Sequence, residues 1–344
     1  MRRSEHAPPV LVGDLGGTNL RLAIRAGREE LALLHLACGS LSGLEEGLTH
    51  FRDAIEKYRP VSACLGVAGP VNGAGEVHLT NLGWDLSEQA LSERLSIPTR
   101  LINDFQAQAE AIPLLLEEDR AHLGGPEVVP SGRPIAVLGA GTGLGEAYLI
   151  PTPSGEYLTV PGEGGHVRFA PRDDFEIELL RALTRVHGPH VSSERVLSGA
   201  GLVSLYRELL RWRLRADPSS SSELEPLSDG PAISGAALSA PPHPVALDAV
   251  TRFIEILADE AANLCLKVTA GAVFLSGGIA PQLRPLLDRS FPPAFLEKGR
   301  YRGLLQGVHI SLVTHPKPAL LGAQRVALRA TQREGDSKTQ REGN

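Results

Sequence analysis

The sequence holds only three cysteines in 344 residues, Cys38, Cys64 and Cys265. They are scattered, odd in number and form no C-x-x-C pair. A disulfide framework or a structural zinc site needs paired or closely spaced thiols. The three therefore read as buried thiols of a reducing cytosol, and a cytoplasmic protein is expected. Long apolar runs are also missing. No segment reaches the ~18 consecutive apolar residues of a membrane span, so no membrane partner is expected. The first residues are basic, but Asp14 and a glycine pair interrupt the apolar run that follows, so no signal peptide is expected. Basic charge is not in excess: Lys plus Arg is 34, Asp plus Glu is 40, and the formal net charge is −6. Binding along a nucleic acid requires a basic surface to neutralise phosphates, so no nucleic-acid partner is expected. Neither the Walker pattern G-x-x-x-x-G-K-[ST] nor a strict G-x-G-x-x-G occurs, which disfavours P-loop NTPases and typical Rossmann dehydrogenases.

What remains is an ordinary globular composition, 42% hydrophobic and 22% charged. The length suits two domains. Glycine is the one unusual count, 37 residues, and the glycines cluster. Val10 to Val12 runs into Gly13-Asp14-Leu15-Gly16-Gly17-Thr18-Asn19, and Leu20 to Ile24 resumes the apolar pattern. Two strands around a tight turn are expected. Ile135 to Leu138, Gly139 to Gly145 and Ala147 to Ile150 repeat that plan, consistent with a duplicated half. A third cluster, Ser276-Gly277-Gly278, follows the apolar Ala272 to Leu275.

Helical periodicity is clear in several stretches. Leu44, Leu48, Phe51, Ile55 and Tyr58 predict one helix over Ser42 to Arg59, with Ser42 and Glu45 as a capping box and Pro60 as its stop. Further helices are expected over Leu86 to Leu95, Val245 to Val268 and Ala319 to Arg329. Arg100 to Asn103 reads as a strand, and Asp104 as the cap of the next helix. Asp217 to Pro244, rich in Ser and Pro, is expected to be an exposed loop with at most a short helix. Residues 331–344 repeat Thr-Gln-Arg-Glu-Gly, lack apolar side chains and are expected to be disordered.

The glycine clusters carry the first chemical argument. Glycine lets an anion approach backbone N–H groups closely, and Thr18 and Thr142 add hydroxyl donors. One such cluster alone is a tight turn; three, each after an apolar strand, point to phosphate binding. Asp14 would be costly beside an anion unless a cation accompanies it, which Mg²⁺ bound through water supplies. Asn103-Asp104 offers an amide for one hydroxyl and a carboxylate to accept a proton from another, although an N-cap explains the pair as well. Glu163 and His166, on Gly162-Glu163-Gly164-Gly165-His166, and Glu194, in Ser192-Ser193-Glu194-Arg195, complete a set suited to a polyhydroxyl ligand.

These segments together resemble the glycolytic-type bacterial glucokinases of the sugar kinase, Hsp70 and actin ATPase superfamily. The carriers are Leu11 to Asn19, Ile102 to Phe105, Gly139 to Gly145, Pro161 to His166, Glu194 to Gly199 and Leu275 to Ile279. They occur in the family's order and lie within residues 10–328. The resemblance implies an α/β, two-lobed ribonuclease H-like fold of the actin/hexokinase type, with a cleft between lobes that close over the sugar. It implies a small lobe of residues 1–113 and 316–330 and a large lobe of residues 114–315. It implies ATP-dependent phosphorylation of glucose at the 6-hydroxyl, the first step of glycolysis, with ATP and Mg²⁺ and usually as a homodimer. Asp104 matches the catalytic base. Asn103, Glu163, His166 and Glu194 match the hexose set. Asp14, Gly16, Gly17, Thr18 and Asn19 match the first phosphate loop, with Asp14 near Mg²⁺. Gly141, Thr142 and Gly143 match the second loop, and Gly277 with Gly278 the adenosine side. The related repressor and kinase group with a cysteine-rich zinc motif is disfavoured, because no such motif follows His166. A non-catalytic sugar sensor on the same fold, or a kinase for another hexose, is the alternative.

Overall fold

The computed structural model describes residues 7–216 and 227–342. Two compact α/β units form. The first comprises residues 1–115 and 315–344, the second residues 116–314. The expected lobe boundaries were 113/114 and 315/316.

The first unit opens with β1 (Val10–Leu15), β2 (Asn19–Ala26) and β3 (Glu29–Ala37). It continues through α1 (Leu44–His50), α2 (Arg52–Tyr58), β4 (Ala63–Val67) and the hairpin β5 (Glu76–Leu79) and β6 (Trp84–Ser87). It ends its first passage with α3 (Glu88–Leu95), β7 (Thr99–Asn103) and α4 (Asp104–Ala111). The main sheet has the order β3-β2-β1-β4-β7. β1, β4 and β7 are parallel, whereas β2 and β3 are antiparallel additions.

The second unit repeats the plan. It contains β8 (Arg120–Gly124), β9 (Ile135–Ala140), β10 (Leu144–Pro151) and β11 (Tyr157–Gly162). Next come α5 (Asp174–His187), α6 (Gly199–Ala216), α7 (Gly230–Leu238) and α8 (Pro244–Val268). β12 (Ala272–Ser276), α9 (Arg284–Phe295), α10 (Arg302–Leu305) and β13 (His309–Val313) complete it. Its sheet order is β11-β10-β9-β12-β13-β8, with β9, β12 and β13 parallel. An antiparallel three-strand meander joined to parallel strands, once in each unit, is the two-lobed ribonuclease H-like plan. The chain then returns to the first unit as α11 (Pro318–Glu342).

Strand alternation sorts the first unit's core. Leu11 and Leu15 face one apolar cluster with Leu20, Leu22 and Ile24. Val10 and Val12 face the other, with Cys64, Ala107 and Leu320 of α11. Asp14 follows Val10 and Val12 at period two, so it projects from their face. In the second unit Ala136, Leu138 and Ala140 pack against α8 through Phe253, Leu257 and Ala261 within one large core. Among the described residues no helix is long and apolar enough to cross a membrane.

Several expectations need correction. The helix expected over Ser42 to Arg59 is two, broken at Phe51, whose own N–H already bonds Leu48 in a tightened last turn. Glu46, not Glu45, accepts the Ser42 backbone and hydroxyl donors, each at 2.8 Å. Asn103, not Asp104, caps α4: its Oδ1 accepts from the N–H groups of Phe105 and Gln106 at 2.8 and 3.1 Å. Within the expected loop of residues 217–244, residues 217–226 lie outside the described residues. The short helix that the expectation allowed is α7, capped by Asp229 and burying Ile233 and Ala237. The expected disorder of residues 331–344 is not what the backbone shows. α11 continues to Glu342, because extending a docked helix adds one bond per residue without a new nucleus. Gly343 and Asn344 lie outside the described residues.

Two glycines set the position of α4. A side chain on Gly322 of α11 would place its Cβ 1.7 Å from the Ala107 carbonyl oxygen. A Cβ on Gly66 would stand 3.1 Å from that of Ala107 and 3.6 Å from the Asp104 Cα. Gly322→Val should therefore lower the stability of the first unit by about 1–3 kcal/mol through overpacking. Urea unfolding measures this, and an unchanged midpoint would mean that α11 can stand off from α4 without loss.

Candidate active site

Parallel strands fix the first group of polar residues. Asp14 lies opposite Gly66, and Val67 lies opposite Asn103. The carboxyl ends of β1, β4 and β7 thus bring Asp14, Asn103 and Asp104 to one edge, where open α/β sheets bind ligands. Gly16, Gly17 and Thr18 make the turn from β1 to β2, closed by Gly16 N–H donating to the Asn19 carbonyl at 2.9 Å. Cys38 lies beneath the turn, its thiol 3.5 Å from the Gly16 carbonyl oxygen. The buried cysteine is a wall of the turn, and burial pushes its thiol pKa up.

Asp14 is opposed across the hairpin by Arg21, its register partner, at 3.0 Å. Burial raises the carboxyl pKa, and Arg21 and then His35 pull it back. Asn19 sits in a chain: it donates to Thr18 Oγ1 at 3.0 Å, and its Oδ1 stands 3.0 Å from His35 Nε2. Asn103 donates from Nδ2 to the Gly69 carbonyl at 3.4 Å. Asp104 occupies the first turn of α4, with Oδ1 accepting from Phe105 N–H at 2.7 Å.

The donor set suits a hydrated Mg²⁺. One Asp14 oxygen is engaged by Arg21. Among the described residues no three His, Cys, Asp or Glu side chains gather as a metal cage. Mg²⁺ keeps several waters and takes one or two carboxylates beside substrate phosphates, so a single outer carboxylate fits it.

In the second unit three turns are tied together. Gly141 N–H donates to Gly143 (2.8 Å), and Gly199 N–H donates to Gly141 (2.9 Å). Ser193 N–H donates to Val167 at 2.8 Å, and His190 Nε2 lies 2.9 Å from the His166 carbonyl. Leu144 N–H donates to Glu194 Oε2 at 3.1 Å. A Cβ on Gly143 would lie 2.5 Å from the same oxygen. A Cβ on Gly165 would lie 2.2 Å from the Leu144 carbonyl oxygen. Glu194 therefore borders the Gly141–Gly143 turn, and the turn that carries Glu163 and His166 packs through Gly165 on Leu144, next in the chain. Glu163 and His166 are exposed, with Oε2 and Nε2 3.7 Å apart. Gly277 and Gly278 join this edge: Ser276 pairs with Gly139, and Gly277 has a positive φ of 84°. Its Cβ would meet the Ala140 carbonyl at 2.6 Å, so only glycine fits.

Asp14, Gly16, Gly17, Thr18, Asn19, Asn103 and Asp104 thus belong to the first unit, and the other candidates to the second. Sequence reasoning missed Arg21, His35 and Asn81. Arg21 and His35 were recoverable only from the hairpin register. The Asn81 amide nitrogen is 3.4 Å from where a Gly17 Cβ would lie. It also missed Glu146, a charge within an apolar strand and therefore visible in the sequence.

Glu194→Ala removes the acceptor of the Leu144 amide. A net loss of about 1 kcal/mol predicts roughly five- to tenfold faster exchange of that proton. Hydrogen–deuterium exchange reads it directly, and unchanged exchange would place the acceptor elsewhere.

Comparison with known proteins identifies the family. The family model described as Glucokinase matches residues 11–330. A glucokinase of Photorhabdus laumondii is 39% identical over 319 residues, covering 91% of this chain and 95% of that protein. The crystal structure of a glucokinase from an Antarctic psychrotroph superposes with a TM-score of 0.80 at 31% identity, covering 94% of this chain and 99% of that one. A ROK family glucokinase from Streptomyces griseus, solved with glucose and AMPPNP, shares the fold, with a TM-score of 0.61, 19% identity and coverage of 93% and 99%. The chain belongs to the glucokinase family.

Proposed function

We propose that the protein transfers the γ-phosphoryl group of ATP to the 6-hydroxyl of glucose. The observation that carries the reading is the gathering, in each unit, of a glycine turn and hydroxyl-binding polar groups at the carboxyl ends of parallel strands. Family membership over residues 11–330 supports the same activity.

Phosphoryl transfer asks for positioning and charge neutralisation more than covalent help. Asn103, Glu163, His166 and Glu194 hold the sugar hydroxyls. Asp104 accepts the proton of the 6-hydroxyl as its oxygen bonds to the γ-phosphorus. The bond from that phosphorus to the bridging oxygen breaks, and ADP leaves with the electron pair. Gly16, Gly17, Thr18 and Asn19 bind phosphate from one loop, and Gly141, Thr142 and Gly143 from the other, through N–H and hydroxyl donors. Gly277 and Gly278 leave room for the adenosine. Mg²⁺, held by Asp14 through water, would supply charge neutralisation at the phosphates. A cytoplasmic homodimer belongs to the same reading and rests on family membership.

A coupled assay of ADP release over a sugar panel tests the activity. Asp104→Asn should lower kcat by roughly 10²–10⁴-fold, the usual worth of a positioned base, and leave glucose binding largely intact. Turnover within about tenfold of the parent would remove Asp104 as base. Glu163→Ala should raise the glucose KM by about tenfold or more, and an unchanged KM would remove Glu163 from the site. Glucose binding without ADP release in the unmodified protein would make it a sensor.

A further inference from the structure

Beneath the Glu163–His166 turn lies a carboxyl that this reaction does not use. Glu146 sits in β10, opposite Leu138 of β9 and Gly162 of β11, and is 3% exposed. Its Oε1 is buried and meets no hydrogen-bond partner. Its Oε2 occupies the space a side chain on Gly164 would need, since a Cβ there would stand 1.6 Å away. The carboxyl is thus the floor of the turn that presents Glu163 and His166. The inference rests on assigning those two residues to the hexose.

The groups around it are of mixed charge. From α8 come Glu260, Lys267 and the buried thiol of Cys265; from β10 itself comes Tyr148. The turn above it carries Glu163 and His166, both exposed. Lys267 is committed partly to Glu260, with Nζ 3.8 Å from Oε1, and Asn263 donates to the other Glu260 oxygen at 3.1 Å. No donor on β9 or β11 reaches Glu146, whose cross-strand neighbours are Leu138 and Gly162.

We propose that Glu146 is a positioning residue for the hexose-binding turn: its protonated carboxyl seats Gly164, and its ionised form displaces the turn, so that hexose affinity falls when it ionises. A buried carboxylate without donors is costly and must seek water or N–H groups. Burial raises this pKa, Glu260 raises it further and Lys267 opposes them, which leaves it pushed up to about 7. The sign follows from linkage. The folded value lies above the unfolded one, so the stabilisation is full at acid pH and is lost as pH rises through about 7.

The experiment measures glucose KM and kcat from about pH 5.5 to about 8.5 for the parent, Glu146→Gln and Glu260→Gln. Glutamine keeps the shape and holds the neutral state. In the parent, KM should rise with pH by roughly threefold or more, with the effect on KM rather than kcat. In Glu146→Gln that rise should vanish and KM should stay at the parent's low-pH value. A rise that survives unchanged in this variant overturns the proposal. Glu260→Gln removes a like charge and should move the midpoint to lower pH, and an unmoved midpoint also overturns it. If Glu146→Gln fails to fold, as circular dichroism would reveal, the Glu260→Gln midpoint decides alone. If Glu163→Ala leaves KM unaltered, the hexose assignment itself has failed. If Glu163→Ala raises KM but Glu146→Gln keeps the parent's slope, only the role of Glu146 has failed.

Discussion

The close approach of α4 to its neighbours is the constraint on which the first unit's polar edge depends. Asp104 begins α4, and no side chain at residues 66 or 322 holds that helix off. Gly66 admits it over β4, and Gly322 lets α11 press on the Ala107 carbonyl. Glu110, buried on α4, is paired with Arg325 and lies 3.6 Å from Arg329, both of α11. A helix near the end of the chain therefore fixes a carboxylate more than 200 positions earlier. This explains why the chain must return to its first unit: the segment that completes the packing comes after the whole second unit has been made.

The second unit solves the same problem with hydrogen bonds. Its glycine turn, its Glu163–His166 turn and its Ser193–Arg195 turn share backbone bonds, and the Glu194 carboxylate rests on the Leu144 amide. Candidates for sugar and for phosphate are neighbours in this unit, and transfer between two ligands requires that neighbourhood. Gly164 and Gly165 have no room for side chains because Glu146 and the Leu144 carbonyl fill it. The glycine excess in the composition is thus in part a matter of close packing.

The sequence revealed most where structure is local. A glycine turn between two apolar runs announces itself, and both hairpins, β1–β2 and β9–β10, form around the turns so expected. Of the four edge strands of the two large sheets, β7 was legible as Arg100 to Asn103 and the other three were not. β3, β8 and β11 have only one strand neighbour each, and their pattern is diluted by partly exposed residues such as Leu33, Leu158 and Val160. The Asn103 cap was misassigned to Asp104 because adjacent Asn and Asp are equally good caps, and only backbone geometry separates them. The Phe51 break left no mark either, since two short helices in register keep one apolar stripe. Of the candidate site, residue types and turns could be read from the sequence. Partners such as Arg21, which depend on pairing register, could not.

The three acids beside the glycine turns show how such a site tolerates charge. A close-packed glycine turn is a poor place for a carboxylate, yet Asp14, Glu194 and Glu146 all lie in or against one. Asp14 has a cation across the hairpin, because Arg21 is its register partner. Glu194 has a backbone amide, because the Ser193–Arg195 turn delivers it to Leu144. Glu146 has neither: its strand neighbours are Leu138 and Gly162, and Lys267 of α8, which opposes it, is shared with Glu260. Of the three ways to keep an acid in a dry place, pairing, hydrogen bonding and protonation, only the last is open to it. A proton is also the one of these partners that solvent can withdraw without moving the chain first. The acid closest to Gly164 is therefore the one whose state follows pH.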